Sequence, residues 1–187
     1  MNAYCGKAPH HPIHAPYHEH EYGKPLDDER ELFERLCLEI FQAGLSWEIV
    51  LKKRPFMRRA LHKFNVNKVA AYKAADIKRL LADEGIIRNR LKIEALIENA
   101  KRIIAMRKTH DGLEGFLAQQ HPLTKAEWVK LFKKHFKFVG GEIVGEFLMS
   151  IGYLPGSHAP ECPVYKRLKK DYDLPWVRAE KKGFKYT

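Results

Sequence analysis

NRLKIEALIENAKRIIAMRK, residues 89–108, places Ile93, Leu96, Ile97, Ala100, Ile103 and Ile104 at i, i+3, i+4 spacing, the repeat of a helix with one apolar face. Similar patterns flank it. From Asp27, DDERELFERLCLEIFQAG puts acidic residues in a first helical turn and Gly44 after the last periodic residue, which predicts a capped helix over 28–43. Further helices are predicted at 46–54, 57–63, 76–83, 113–119, 124–135 and 141–151, with Gly85, Gly112 and Gly140 in short connections. No convincing strand pair occurs, so the fold class is all-α. With 187 residues, 45% of them hydrophobic, the chain can build a proper core, which excludes a disordered tail or a mini-protein.

Lys and Arg number 34 against 23 Asp and Glu, a net charge of +11 that predicts a polyanionic partner. No apolar run approaches the roughly 18 residues of a membrane span, and MNAYCGKAPH has no apolar signal core, so a soluble cytoplasmic protein is expected. Residues 1–27 hold His10, His11, His14, His18 and His20 among Pro9, Pro12, Pro16 and Pro25, and read as an irregular arm over the helical body 28–151. The basic tail 166–187 reads as a solvated segment in preference to a phosphate-contacting one.

Cys5, Cys37 and Cys162 are odd in number and far apart, which argues against a disulfide framework. His158 and Cys162 have the HxxxC spacing that lets both reach one ion, and Cys5 with His18 would complete a tetrahedron, with His14 and His20 as equal competitors for His18. Free thiols are the competing reading. An ion held by four protein ligands has no open position and would be a structural staple.

On the helix 28–43, Glu39 falls within about 20° of Leu32 on the helical wheel, so its carboxylate is directed at the interior edge. An ordinary i, i+4 pair with Arg35 is the equal alternative. AGLSW then sets Gly44, Leu45 and Trp47 at a helix end where side chains can project into a cleft, although core packing is the commoner fate of one Trp. Between two predicted helices, FKFVGG (136–141) offers two glycines at a tight turn with backbone N–H groups facing outward. That is a phosphate cradle of the helix-hairpin-helix kind, with Lys137 adding charge, or else a plain helical hairpin. EGIIRNRLK (84–92) competes for that role.

The strings YHEHEYG (17–23), LCLEIFQAGLSWEIVLKKR (36–54), GIIRNRLKI (85–93), FKFVG (136–140) and HAPEC (158–162), in this order, strongly resemble the bacterial 3-methyladenine DNA glycosylase I family over about residues 4 to 162. The resemblance implies one domain over 1–187 with the helix-hairpin-helix glycosylase fold. In it a structural zinc ion on Cys5, His18, His158 and Cys162 joins the arm 1–27 to the segment 152–165. It makes Glu39 the pocket carboxylate, Trp47 the stacking platform and Tyr17 a partner of the base, with His14 where the family has a second pocket tyrosine. Gly44 and Leu45 would press into the duplex, and Lys137, Phe138, Val139, Gly140 and Gly141 would grip its phosphates. The implied activity is release of 3-methyladenine from alkylated double-stranded DNA by base flipping, without strand cleavage. A monomer in the bacterial cytoplasm, associated with the nucleoid through DNA, is expected. Tyr22 where the family has Trp, Lys7 where it has an aromatic, and Gly141-Glu142 where it has small hydroxyl residues are departures near the pocket mouth and cradle. They leave a shifted lesion range as one alternative and a non-catalytic, zinc-stapled DNA-binding protein as another. Joint presence of Tyr17, Glu39 and Trp47 favours the enzyme.

Overall fold

The computed structural model describes residues 3–186, and among these every regular element is helical. The centre is α3 (Glu29–Gln42). Asp28 caps it by accepting from the Glu31 N–H at 2.9 Å, and Glu29 and Glu31 lie in its first turn, where the helix dipole favours negative charge. Residues 32 to 41 are all buried, including Glu34, Arg35 and Glu39, because α3 is covered on several sides. Its neighbours include α4 (Trp47–Ala60), α7 (Arg90–His110), α8 (Gly112–Gln120) and α10 (Gly141–Ser150). α7 is the helix of the 89–108 repeat, capped by the Asn89 side chain, which accepts from Lys92 N–H at 3.1 Å. It ends at left-handed Asp111 and Gly112, and a Cβ on Gly112 would meet the Glu29 carboxylate at 2.8 Å.

The prolines and the charge runs behave differently from expectation. The helix expected at 46–54 and the first turn of the one expected at 57–63 are one, α4, which runs through Pro55 and ends at Ala60, before a left-handed turn at His62–Phe64. An interior proline costs about 3 kcal/mol. Against that cost stand the burial of Val50, Met57 and Ala60 on one face and the anchoring of Arg54 and Arg58 on buried Glu34, at 2.6 and 2.7 Å. Short α5 (Val66–Ala70) lies where the sequence predicts only a connection, and α6 (Ala74–Ala82) covers the helix expected at 76–83. α9 (Lys125–His135) opens on a reciprocal cap between Thr124 and Glu127. The arm is less irregular than its prolines suggest: it contains α1 (Ala3–Lys7) and α2 (Ala15–His20), with Pro16 in the first turn of α2.

The segment 166–187 is a correction. Over its described residues, 166–186, it is not simply a solvated tail, since most of them belong to two helices, α11 (Pro163–Asp171) and α12 (Pro175–Lys181), each begun by a proline at its first position. Val164, Leu168, Leu174 and Trp176 bury one side as a second small core, while Lys166, Lys169 and Lys170 stay in solvent. Trp176 N–H donates to the Gly152 carbonyl at 3.2 Å and Arg167 donates to the Glu19 carbonyl at 2.6 Å, so these helices close over the arm.

Candidate active site

A cleft of about 950 Å³ opens between the arm, the C-terminal end of α3 and the start of α10. Glu39 lies at its base. It is only 3% exposed and makes no hydrogen bond or ion pair with another described residue. Arg35, the partner that helix spacing offers, is committed elsewhere. It donates to the Tyr17 hydroxyl at 3.1 Å, to the Ser150 carbonyl at 3.3 Å and to Glu21 at 3.3 Å. Burial therefore pushes the Glu39 carboxyl up to about 8, with help from the like charge of Glu146 and opposition from Arg35.

The walls are aromatic. Tyr17 and Trp47 pack edge to face with centroids 5.1 Å apart, and Tyr17 lies 5.6 Å from Tyr22, which in turn lies 5.7 Å from Tyr4. The Arg35 guanidinium over the Tyr17 ring, at 4.9 Å, fixes that ring in place. Trp47 Nε1–H is buried without a well-aligned hydrogen bond. Burial holds the Tyr4, Tyr17 and Tyr22 hydroxyls protonated, above the ordinary tyrosine range. His14 does not line the cleft. It sits behind Tyr4, its Nδ1 3.3 Å from that hydroxyl, and Tyr4 takes the lining place.

Reading by motif did not single out Tyr4 or Glu146 as site residues. Glu146 lines the cleft from α10, and its Oε2 accepts from the Tyr22 hydroxyl at 2.9 Å. One signal was available: Glu146 is an acidic residue inside the apolar run IVGEFLMS, the same anomaly that marks Glu39 inside LCLEIF.

At the mouth, Gly44 takes φ +78°, a left-handed turn that suits glycine, and turns Leu45 outward, 38% exposed. Buried Lys92 secures this turn by donating to the Phe41 carbonyl at 2.9 Å and to the Ala43 carbonyl at 2.5 Å, at the C-terminus of α3. The FKFVGG turn joins α9 to α10 as expected. Asn99, wholly buried on α7, accepts from the Lys137 N–H at 2.7 Å and donates to its carbonyl at 3.1 Å. Phe138 is half-exposed with φ +57°, Lys137 is exposed and Val139 is partly buried. A Cβ added to Gly140 or Gly141 would meet nothing within 4 Å, so neither glycine is needed for internal packing. Glu142, which lines the cleft, pairs with Lys125 at 3.2 Å. In the competing turn at 84–92, Gly85 packs against Phe56 of α4 and Lys53 donates to the Glu84 carbonyl at 2.8 Å, while Arg88, Asn89 and Arg90 are exposed.

Beside the cleft, Cys5, His18, His158 and Cys162 bring one donor atom each within 4.8 Å of one another, a group that can hold a metal ion. Sulfur–nitrogen distances are 3.6 Å from Cys5 to His158 Nδ1, and 3.8 Å from Cys162 to both His158 Nδ1 and His18 Nε2. The opposite ring nitrogens have partners too: His18 Nδ1 lies 2.8 Å from Glu19, and His158 Nε2 lies 2.9 Å from the Tyr22 carbonyl. His20 is exposed and outside the group. His11, His14 and Glu48 form a second, part-exposed group of possible ligands.

Fold and cleft together define the class first: an all-helical protein in which a buried, unpartnered carboxyl sits in an aromatic-walled pocket. The family model described as methyladenine glycosylase matches residues 7–130. The DNA-3-methyladenine glycosylase of Haemophilus influenzae is 37% identical over 87% of this chain and 98% of its own. DNA-3-methyladenine glycosylase 1 of Escherichia coli is 38% identical over 86% and 96%. A crystal structure of 3-methyladenine DNA glycosylase I superposes with a TM-score of 0.76 at 35% identity, over 85% of this chain and 97% of that one. The structure of a variant of a 3-methyladenine DNA glycosylase I in complex with 3-methyladenine superposes with a TM-score of 0.78 at 30% identity, over 88% of this chain and 97% of that one. The chain belongs to the methyladenine glycosylase family and is an enzyme of its 3-methyladenine DNA glycosylase I branch.

Proposed function

We propose that this enzyme removes N3-alkylated adenine from double-stranded DNA by hydrolysing the N-glycosidic bond of a base flipped into the Glu39 cleft. The observation that carries this reading is Glu39 itself, a carboxyl buried among tyrosines with no protein partner. N3-alkylation makes adenine cationic. A positive base beside Glu39 supplies the charge the protein withholds, so it favours the carboxylate, which accepts a hydrogen bond from the exocyclic amine. Trp47 stacked on the ring adds on the order of 0.5–2 kcal/mol of cation–π attraction that neutral adenine does not receive. As the bond between C1′ and the base breaks, its electron pair neutralises the leaving base, and water supplies the hydroxyl to C1′ with its proton passing to solvent. No strong acid is needed for so good a leaving group.

Flipping costs a few kcal/mol of unstacking. Leu45 filling the vacated place and the FKFVGG turn gripping phosphate supply the compensation, and the helix-hairpin-helix reading of that turn is supported by the open space over Gly140 and Gly141. No lysine lines the cleft among the described residues, which supports base release without strand cleavage. Action as a monomer, on bacterial DNA in the cytoplasm, is part of the same proposal.

Zinc is the ion we propose for the Cys5, His18, His158 and Cys162 group. Tetrahedral zinc bonds of about 2.3 Å to sulfur and about 2.0 Å to nitrogen set sulfur–nitrogen edges near ~3.6 Å, close to the observed separations of 3.6 and 3.8 Å. The outer hydrogen bonds of both histidines leave His18 Nε2 and His158 Nδ1 for the metal. When bound, zinc supplies cross-linking only.

The test is release of free 3-methyladenine from methylated duplex DNA, followed by chromatography of the base and electrophoresis of the strand. The expected result is base release with the strand intact and no borohydride-trapped adduct. Absence of release by metal-loaded protein that binds DNA would overturn the proposal.

A further inference from the structure

The chain carries a net charge of +11, yet its cleft is lined by Glu39, Glu142 and Glu146 and by no lysine, arginine or histidine among the described residues. The nearby cations are already engaged. Arg35 is held by Glu21 and the Tyr17 hydroxyl, and Lys125 by Glu142. Among the described residues Glu146 has no ion pair and one hydrogen bond, from Tyr22 at 2.9 Å, which orients it within the cleft. Tyr22 is itself 6% exposed and wedged between Tyr4 and Tyr17, so the oxygen it holds is fixed. With Glu142 paired to Lys125, Glu39 and Glu146 share one cleft without an ion pair to any described residue, Arg35 and Lys125 acting on them only from a distance.

We infer that Glu146 is a specificity-determining residue, a second carboxylate that with Glu39 makes acceptance of a base depend on the base's positive charge. The inference rests on the glycosylase reading and names its substrate class: alkylated bases that carry a full positive charge in DNA. A neutral base, even one of the right shape, leaves two carboxyls competing for protons in a poorly hydrated pocket. A cationic base relieves both. Glu39 faces Glu146, Arg35 and the hydroxyls of Tyr4, Tyr17 and Tyr22, while Glu146 faces Glu142, Lys125 and Tyr22. Removing the Glu146 charge thus has two effects of opposite sense. Less attraction remains for the cation, and Glu39 ionises at lower pH.

The experiment measures kcat/KM for 3-methyladenine release across pH 5 to 10 with the natural chain, Glu146→Gln and Tyr22→Phe, alongside binding to a duplex bearing a tetrahydrofuran abasic site. For Glu146→Gln, the high-pH plateau falls fivefold or more, the acid limb moves at least half a pH unit lower, and abasic-site binding is unchanged. Tyr22→Phe keeps the charge but frees it, so the plateau falls two- to threefold with the limb little displaced. A Glu146→Gln profile that overlays the natural one overturns the inference while leaving the glycosylase reading intact. A fall in abasic-site binding equal to the fall in kcat/KM, with no movement of the limb, shows a structural role and overturns it too. Absence of release by the natural chain overturns both.

Discussion

Glu39 binds its proton more tightly in the folded chain than in the unfolded one, because burial raises its carboxyl to about 8 from an ordinary 4.5. The linkage runs in the raised-pKa direction: full stability is present below pH 4.5 and is lost as pH rises through about 8, each pH unit between those limits costing about 1.4 kcal/mol. Glu39→Gln is isosteric and cannot ionise. It is expected to match the natural chain near pH 4 and to exceed it by a few kcal/mol at pH 9 in urea denaturation, whereas a difference constant across that range contradicts the burial argument. Helix spacing marked Glu39 but left an interior carboxylate and a pair with Arg35 equally open, and the choice between them needed the structure, where Arg35 is bonded to Tyr17, Ser150 and Glu21. Tyr4 and Glu146 were not marked, because their roles depend on how the arm and α10 meet, a long-range relation that periodicity does not encode.

At the scale of elements, the helices with clear repeats and side-chain caps lie where the sequence puts them, while those decided by packing do not. α4 continues through Pro55 because its inner face and its arginines outweigh one lost hydrogen bond, and α11 and α12 form where charge density alone suggested solvent. Arg54 bonds both Glu34 and Glu21, at 2.6 and 2.8 Å, and is 12% exposed, so Arg54→Ala leaves a buried carboxylate short of its partner. A loss of roughly 2–4 kcal/mol is expected by thermal or urea unfolding; a loss below half a kilocalorie would show that Arg58 alone satisfies Glu34. Asn99 tests the turn between α9 and α10. Asn99→Ala removes both bonds to Lys137, and is expected to weaken duplex binding severalfold in fluorescence anisotropy for damaged and undamaged DNA alike, since phosphate contacts carry no base information.

Across the described residues, Cys5 and His18 of the arm meet His158 and Cys162 beside the cleft, and that group reaches the cleft. The His158 ring contacts the carbonyl of Tyr22, whose hydroxyl holds Glu146. Metal removal by a strong chelator is expected to lower Tm by at least 5 °C and to reduce base release, with Cys162→Ala reproducing both. A chain that holds no metal by elemental analysis and unfolds at the same temperature with or without chelator contradicts the staple. No helix among the described residues is long and apolar enough to cross a membrane. The 34 lysines and arginines all lie outside the cleft lining, so affinity for undamaged duplex should fall steeply with salt and to the same degree in Glu39→Gln. Net charge was readable from composition; its exclusion from one pocket was visible only in three dimensions.

The most direct test compares the natural chain, Glu39→Gln and Trp47→Ala for single-turnover release of 3-methyladenine, with undamaged-duplex binding measured in parallel. The account predicts that release falls at least tenfold in each variant while duplex binding stays within twofold. Release that survives both substitutions, or that falls only in step with duplex binding, would contradict a cleft built to recognise the charge of the base.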